Sequence, residues 1–354
     1  MMRARYNCPM PLTIVAPDRL PEALSDSMHH AGMPLRLPNL EALLVGAAIE
    51  WRDESVEEWL CRALGTRSGD ATPVAPLRLA GENAKFSAEA RDGYWLCADP
   101  IAATMGIDSV RIDRAIDDLS PEDARAIMQT LSEFFAADGL RFIAPSPSRW
   151  YVRCTSPQRM FTMPLSRVIG SSMLAHLPRG DDALAWRSRL NEAQMLLHAH
   201  PVNADRERRG QSPVASCWWW GGGRWPRFDA PAIDAVVGGP AWVGVAGTET
   251  GIVVQPFSTG AIGSSDSDAR LLAILADTLV DTPAADPWLR ADDRWFAVIR
   301  AAHAARGLNI IVPWTSGTLH ITVEAQRRAS LLRRWFAGPP TARPIADVLA
   351  IYLQ

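Results

Sequence analysis

Residues 191–223 constrain the fold of this chain more than any other segment. Asn191-Glu192-Ala193-Gln194-Met195-Leu196-Leu197-His198 reads as the last turns of an amphipathic helix. Pro201 disfavours helical geometry at His200, so the helix is predicted to end in the turn His200-Pro201-Val202-Asn203. A short basic turn follows, Asp205-Arg206-Glu207-Arg208-Arg209-Gly210. Trp218-Trp219-Trp220 then reads as a buried strand, or less readily as an aromatic platform, and runs into Gly221-Gly222-Gly223. Glycine there allows a tight turn or the close approach of a ligand. His198 and His200, two residues apart, cannot share a helix face.

Elsewhere, strands alternate with helices. Leu12 to Ala16 reads as a strand, Leu37 to Leu44 as a helix opened by Pro38, and Ser55 to Leu64 as a helix in which Ser55 and Glu58 form a capping box. Residues 66–92, rich in Pro, Gly, Ala and charge, read as a loop or linker. A ββαββ-like block follows. Its strands lie near 94–98, 109–112, 141–144 and 149–153, and its helix runs from Ser120-Pro121-Glu122-Asp123 to about Ala137. Towards the C-terminus, strands are expected at 241–246, 251–254, 308–312 and 319–323, with helices at 266–279, 288–305 and 324–336. Such alternation implies a largely parallel, two-sided sheet.

Composition excludes several classes. At 354 residues with 48% hydrophobic content, the chain buries a core without help from staples. A net charge of −3 gives no global field for nucleic acid or an anionic membrane. Cys8, Cys61, Cys97, Cys154 and Cys217 have no CxxC spacing, which fits neither a zinc site nor a disulfide framework and suits a reducing cytoplasm. No apolar stretch has the length of a membrane span or a signal segment. The expectation is a soluble cytoplasmic protein.

The run from "NEAQMLLHAHPVN" through the basic turn to "WWWGGG" resembles the late signature of the archaeal-type, cofactor-independent phosphoglycerate mutases of the alkaline phosphatase superfamily. "PNLEAL" at 38–43 is similar to the helix that opens that superfamily's fold. With "GYWLCADP" at 93–100, the chain looks most like a proteobacterial group of phosphoglycerate mutase-like or RpfE-type regulatory proteins. The resemblance implies an α/β fold, an alkaline-phosphatase-like core with a mainly parallel sheet flanked by helices, plus a small inserted α+β domain. The core is expected at 1–92 and 186–354 and the insert at 93–185.

An active member of that superfamily carries two divalent metals on Asp and His ligands beside a Ser or Thr nucleophile. Asp18 stands where a first ligand could be, but Arg19 follows where glycine is usual. Ser55 is the weak candidate nucleophile, with helix capping as its alternative. The C-terminal half has no Asp-His pair; His303 and His320 read as structural, and His29-His30 as a solvated turn. No metal site and no cofactor are expected; Mn or Mg would accompany the alternative, an active mutase or phosphatase with unconventional ligands. The basic turn offers an anion site built from Asn203, Arg206, Arg209 and His200, because guanidinium forks suit phosphate and carboxylate. Pairing of these arginines with Asp205 and Glu207 is the alternative. The functional expectation is a regulatory or ligand-binding pseudoenzyme that takes a small phosphorylated or carboxylated metabolite and reports to a protein partner, without nucleic acid or membrane.

Overall fold

The computed structural model describes residues 12–17, 20, 24, 35–67, 72–106, 110–258, 262, 269–275, 286–303, 307–314, 317–324 and 343–349. In chain order its strands are β1 (Leu12–Val15), β2 (Ala48–Arg52), β3 (Thr66–Arg67), β4 (Tyr94–Met105), β5 (Val110–Ala115), β6 (Leu140–Ser146) and β7 (Arg149–Cys154). The second half supplies β8 (Ser216–Gly223), β9 (Arg227–Phe228), β10 (Ala235–Gly238), β11 (Val253–Gln255), β12 (Leu271–Ile274), β13 (Leu308–Trp314) and β14 (Gly317–Val323). Contacts divide the chain into two compact units, one of 1–56, 231–240 and 251–354, the other of 57–230 and 241–250.

The first unit is a mixed α/β fold around a seven-stranded sheet in the order β11-β10-β12-β1-β13-β14-β2. β11, β10, β12, β1 and β13 run parallel, β14 runs antiparallel to them, and β2, antiparallel to β14, returns to their direction. Leu12, Ile14, Leu271, Ala273, Ile310 and Val312 are buried along the central strands, together with Trp288 and Phe296 from the helical segment behind them. That burial explains why these strands are short continuous apolar runs. The Pro38–Leu43 helix forms as expected, but its cap comes from far along the chain. The Asp292 carboxylate accepts from Asn39 N at 3.1 Å and from Leu40 N at 2.8 Å. Asp292 lies in a π-helical turn, Asp292–Phe296, between the Asp286–Ala291 and Ala297–His303 helices.

The second unit is built on an antiparallel sheet. Twelve-residue β4 pairs with β7 along its first half and β5 along its second, and β8 covers its other edge. The ββαββ block is present, its Pro121–Phe134 helix capped by Ser120 Oγ, which accepts from Asp123 N at 3.0 Å. The expected insert 93–185 lies wholly inside this unit. The unit also includes β8, which hydrogen-bonds along β4.

Three local expectations are corrected. Residues 66–92 are no linker; they hold β3 and the helices Val74–Glu82 and Ala84–Ala90, with Val74, Ala75, Leu77 and Leu79 buried. Residues 241–250 are a helix rather than a strand, burying Trp242, Val243, Ala246 and Gly247 along one stripe. The helix expected at 266–279 contains β12, buried throughout. Short apolar runs of this kind are compatible with either state until their neighbours are known. The helix expected at 324–336 lies outside the described residues, apart from Glu324.

Candidate functional site

The signature turn folds differently from the expectation, and three of its polar residues, His200, Asn203 and Arg206, are buried. The Ala183–His198 helix ends on schedule, but Pro201–Arg208 is itself a helix, with Pro201 in its first turn and His200 as its N-cap. His200 Nδ1 accepts from Val202 N at 3.2 Å, which leaves the ring proton on Nε2, 3.1 Å from Thr130 Oγ1. Thr130 Oγ1 in turn donates to Ala126 O. Burial lowers the His200 pKa, partly offset by a hydrogen bond to Ala126 and by the charge of Asp123.

Asn203 is buried and satisfied on both ends of its amide. Nδ2 donates to Leu197 O at 2.7 Å and Val214 O at 2.9 Å, and Oδ1 accepts from Val214 N at 2.8 Å. Arg206 has a fully buried side chain. Its Nε donates to Ser212 O at 2.9 Å, Nη1 to Asp118 O at 3.3 Å and Nη2 to Asp118 Oδ1 at 2.6 Å. Arg208 pairs with Asp205, and half-exposed Arg209 with Asp123 at 3.2 Å. The anion site expected from Asn203, Arg206, Arg209 and His200 is therefore not assembled here. Asn203 and Arg206 form a clasp that ties both helices to residues 212–215, the lead into β8, and the wholly buried Arg206 guanidinium presents no donor to a ligand.

The remaining expected residues do not gather into a catalytic centre. Asp18 and His29-His30 lie outside the described residues. Ser55 directly precedes the Val56–Ala63 helix and is wholly buried, so it presents no hydroxyl to a substrate. His320 is buried on β14, with Thr318 Oγ1 at 3.0 Å and Glu54 Oε1 at 3.1 Å from the same nitrogen, Nε2. Among the described residues no three His, Cys, Asp or Glu side chains stand together as metal ligands. The described cysteines, Cys61, Cys97, Cys154 and Cys217, are buried and unbridged.

Positive charge collects elsewhere in the second unit. A cleft of about 720 Å³ opens at the end of β8, lined by Arg67, Arg159, Arg179, Arg224 and Arg227 against one lining carboxylate, Asp181. Arg67 is held by Asp229, and Arg159 lies 3.4 Å from Asp181. Arg179, Arg224 and Arg227 are exposed and enter no ion pair among the described residues. Sequence reasoning missed these arginines, although Arg224 directly follows the glycine run that it singled out and Arg227 lies three residues further on.

The glycine end of the signature, Gly222 and Gly223, lines this cleft, and aromatic donors brace the loop that lines it with them. Trp218 Nε1 donates to Met163 O at 2.9 Å, Trp186 Nε1 to Gln158 Oε1 at 2.8 Å and the Tyr94 hydroxyl to Gln158 O at 3.2 Å. Burial raises the Tyr94 pKa, so the hydroxyl remains a donor. Three aromatic donors thus fix the loop that carries Arg159 and Phe161 into the cleft. Glycine is required at the strand end: Gly221 has φ +64°, and a Cβ on Gly222 would sit 2.7 Å from the Tyr94 hydroxyl.

No protein-family model matches the chain. By sequence it is related to 2,3-bisphosphoglycerate-independent phosphoglycerate mutases. It is 26% identical to that of Methanosarcina mazei over 152 residues, 39% of this chain and 36% of the relative. With a probable enzyme of that name from Geobacter sulfurreducens it shares 37% identity over 69 residues, 20% of this chain and 17% of the relative. The matched part of the chain thus spans about a third or less of these relatives' length. Among solved structures, a cofactor-independent phosphoglycerate mutase from Thermoplasma acidophilum aligns with a TM-score of 0.40 and 15% identity, over 98% of this chain and 100% of that one. The PH0037 protein of Pyrococcus horikoshii gives 0.43 and 12%, over 90% and 88%. Among the described residues no helix is long and apolar enough to cross a membrane.

Proposed function

We propose that this chain is a non-catalytic, regulatory ligand-binding protein on a phosphoglycerate mutase scaffold, of the kind its RpfE-type resemblance implies. Its ligand is a small phosphorylated or carboxylated metabolite, held in the arginine-lined cleft at the end of β8. The observation that carries this reading is the charge balance of the cleft, five guanidinium groups against one lining carboxylate. Three of the five have no ion-pair partner among the described residues. Guanidinium forks bind phosphate and carboxylate oxygens in pairs, and a concave site of one sign concentrates counter-ions. Four buried, unbridged cysteines suit a reducing compartment such as the cytoplasm.

The reading predicts that calorimetric titration detects binding of 3-phosphoglycerate or a related small anion, and that binding weakens with salt as exposed charges are screened over about 8 Å at physiological ionic strength. Arg224→Ala and Arg227→Ala are each expected to reduce affinity about tenfold, the loss of one charge-assisted contact worth about 1.4 kcal/mol. Arg209→Ala, which removes a pair outside the cleft, leaves affinity unchanged. Absence of anion binding, or equal binding by the cleft variants, removes this reading.

A further inference from the structure

A groove of about 770 Å³ lies in the second unit between the Pro121–Phe134 and Ala183–His198 helices, and one end is closed by the signature turn His200-Pro201-Val202. Two large apolar side chains stand uncovered in it: Met195 is 72% exposed and Phe134 is 49% exposed. Ala126, Leu196 and Ala199 continue the apolar lining. Neighbouring uncovered side chains of this size, rimmed by polar groups, mark interaction surfaces.

The charged groups lining the groove have one sign. Glu133 and Glu192 stand in it, and neither Lys nor Arg lines it. Glu133 accepts from Gln129 Nε2 at 2.8 Å and Glu192 from Ser188 Oγ at 3.0 Å, each a neutral neighbour one turn away on its own helix. Neither carboxylate enters an ion pair among the described residues, whereas most other described acids of this unit are matched to an arginine.

We propose that this groove docks an amphipathic helix of a partner protein, with apolar residues at i, i+3 or i+4 and i+7 seated against Met195 and Phe134 and Lys or Arg on its flanks opposite Glu133 and Glu192. A cleft between two helices accepts a third helix by the same interdigitation of side chains that packs bundles, and methionine adapts its shape to the incoming side chains. The two unmatched carboxylates set the sign of the partner's flanks and repel an acidic helix. The groove is independent of the arginine cleft, so failure of anion binding leaves this proposal standing.

Panning a displayed library of helix-forming peptides, each about four turns long, against the full-length protein tests the proposal. Enriched peptides are expected to carry one apolar stripe with Lys or Arg beside it. Their affinity is expected to fall about tenfold or more with Met195→Asp and with the double variant Glu133→Lys/Glu192→Lys, as for a central anchor and its charged rim. Both variants alter exposed or half-exposed side chains and are expected to keep the wild-type melting temperature. Peptides with Glu in place of the flanking Lys and Arg are expected to recover binding on the double lysine variant. No enrichment, enrichment without basic flanks, or binding unmoved by these variants overturns the proposal. A concentration-dependent dimer abolished by Met195→Asp overturns it as well, since a second copy of this chain would then cover the groove.

Discussion

Arg206 and Arg209 differ by three positions in sequence and almost entirely in role. The Arg206 guanidinium is buried and reaches Ser212 O, Asp118 O and the Asp118 carboxylate. Truncation removes these bonds and leaves a void, and Arg206→Ala is expected to destabilise the second unit by about 2–4 kcal/mol, tempered because Asp118 can rehydrate. Arg209→Ala breaks a surface pair and is expected to change stability by about 0.5 kcal/mol or less. Urea midpoints measure both; an Arg206→Ala protein as stable as wild type contradicts the clasp. His200 adds a pH dependence. Its neutral ring accepts from Val202 N, so protonation of Nδ1 destroys the cap. Burial places its pKa below the ordinary histidine value, so stability is full above about pH 6.5 and declines as pH falls through the lower, folded-state pKa. His200→Asn keeps a capping side chain and removes the titration, and is expected to flatten that acid limb. An unchanged slope in this variant assigns the acid sensitivity to other groups.

At the scale of elements, β8 joins the aromatic run to both the sheet and the cleft. Trp219 is buried, with its ring centroid 4.8 Å from that of Trp186 in an edge-to-face pair. Trp219→Ala is expected to cost about 3–5 kcal/mol in chemical denaturation, and Trp219→Phe less, because the void governs the loss. A Trp219→Ala protein of normal stability with a lost ligand would instead make the run a recognition surface. The strands β1, β13 and β14, the Pro38–Leu43 helix and the Pro121–Phe134 helix with its Ser120 cap were legible from periodicity and local capping chemistry. The Val74–Glu82 and Ala241–Thr250 helices were not. Proline and glycine in the first read as breakers, although the buried residues around Pro76 hold it in the opening turns; the second, apolar from Ala241 to Gly247, has no polar stripe there to give its period. The candidate site was legible only in part. The signature was recognisable, but an arginine's burial is not written in its neighbours, so Arg206 read as a ligand contact. Arg159 and Arg179 meet Arg224 and Arg227 only through the fold.

At the scale of the whole molecule, a net charge of −3 conceals an arginine-lined cleft and an acidic-rimmed apolar groove. Sequence similarity to phosphoglycerate mutases covers 39% of the chain at most in the matches above, and among the described residues no three His, Cys, Asp or Glu side chains stand together. The proposed account is binding without turnover, carried by the charge of the arginine-lined cleft. Its most direct test is metal analysis of the purified full-length chain, coupled to a phosphoglycerate mutase assay with Mn²⁺, Mg²⁺, Zn²⁺ or Co²⁺ added in turn. The account predicts no stoichiometric divalent metal and no turnover above the protein-free rate with any of them. Two metal equivalents per chain, with turnover that disappears on chelation and returns with the metal, would contradict it.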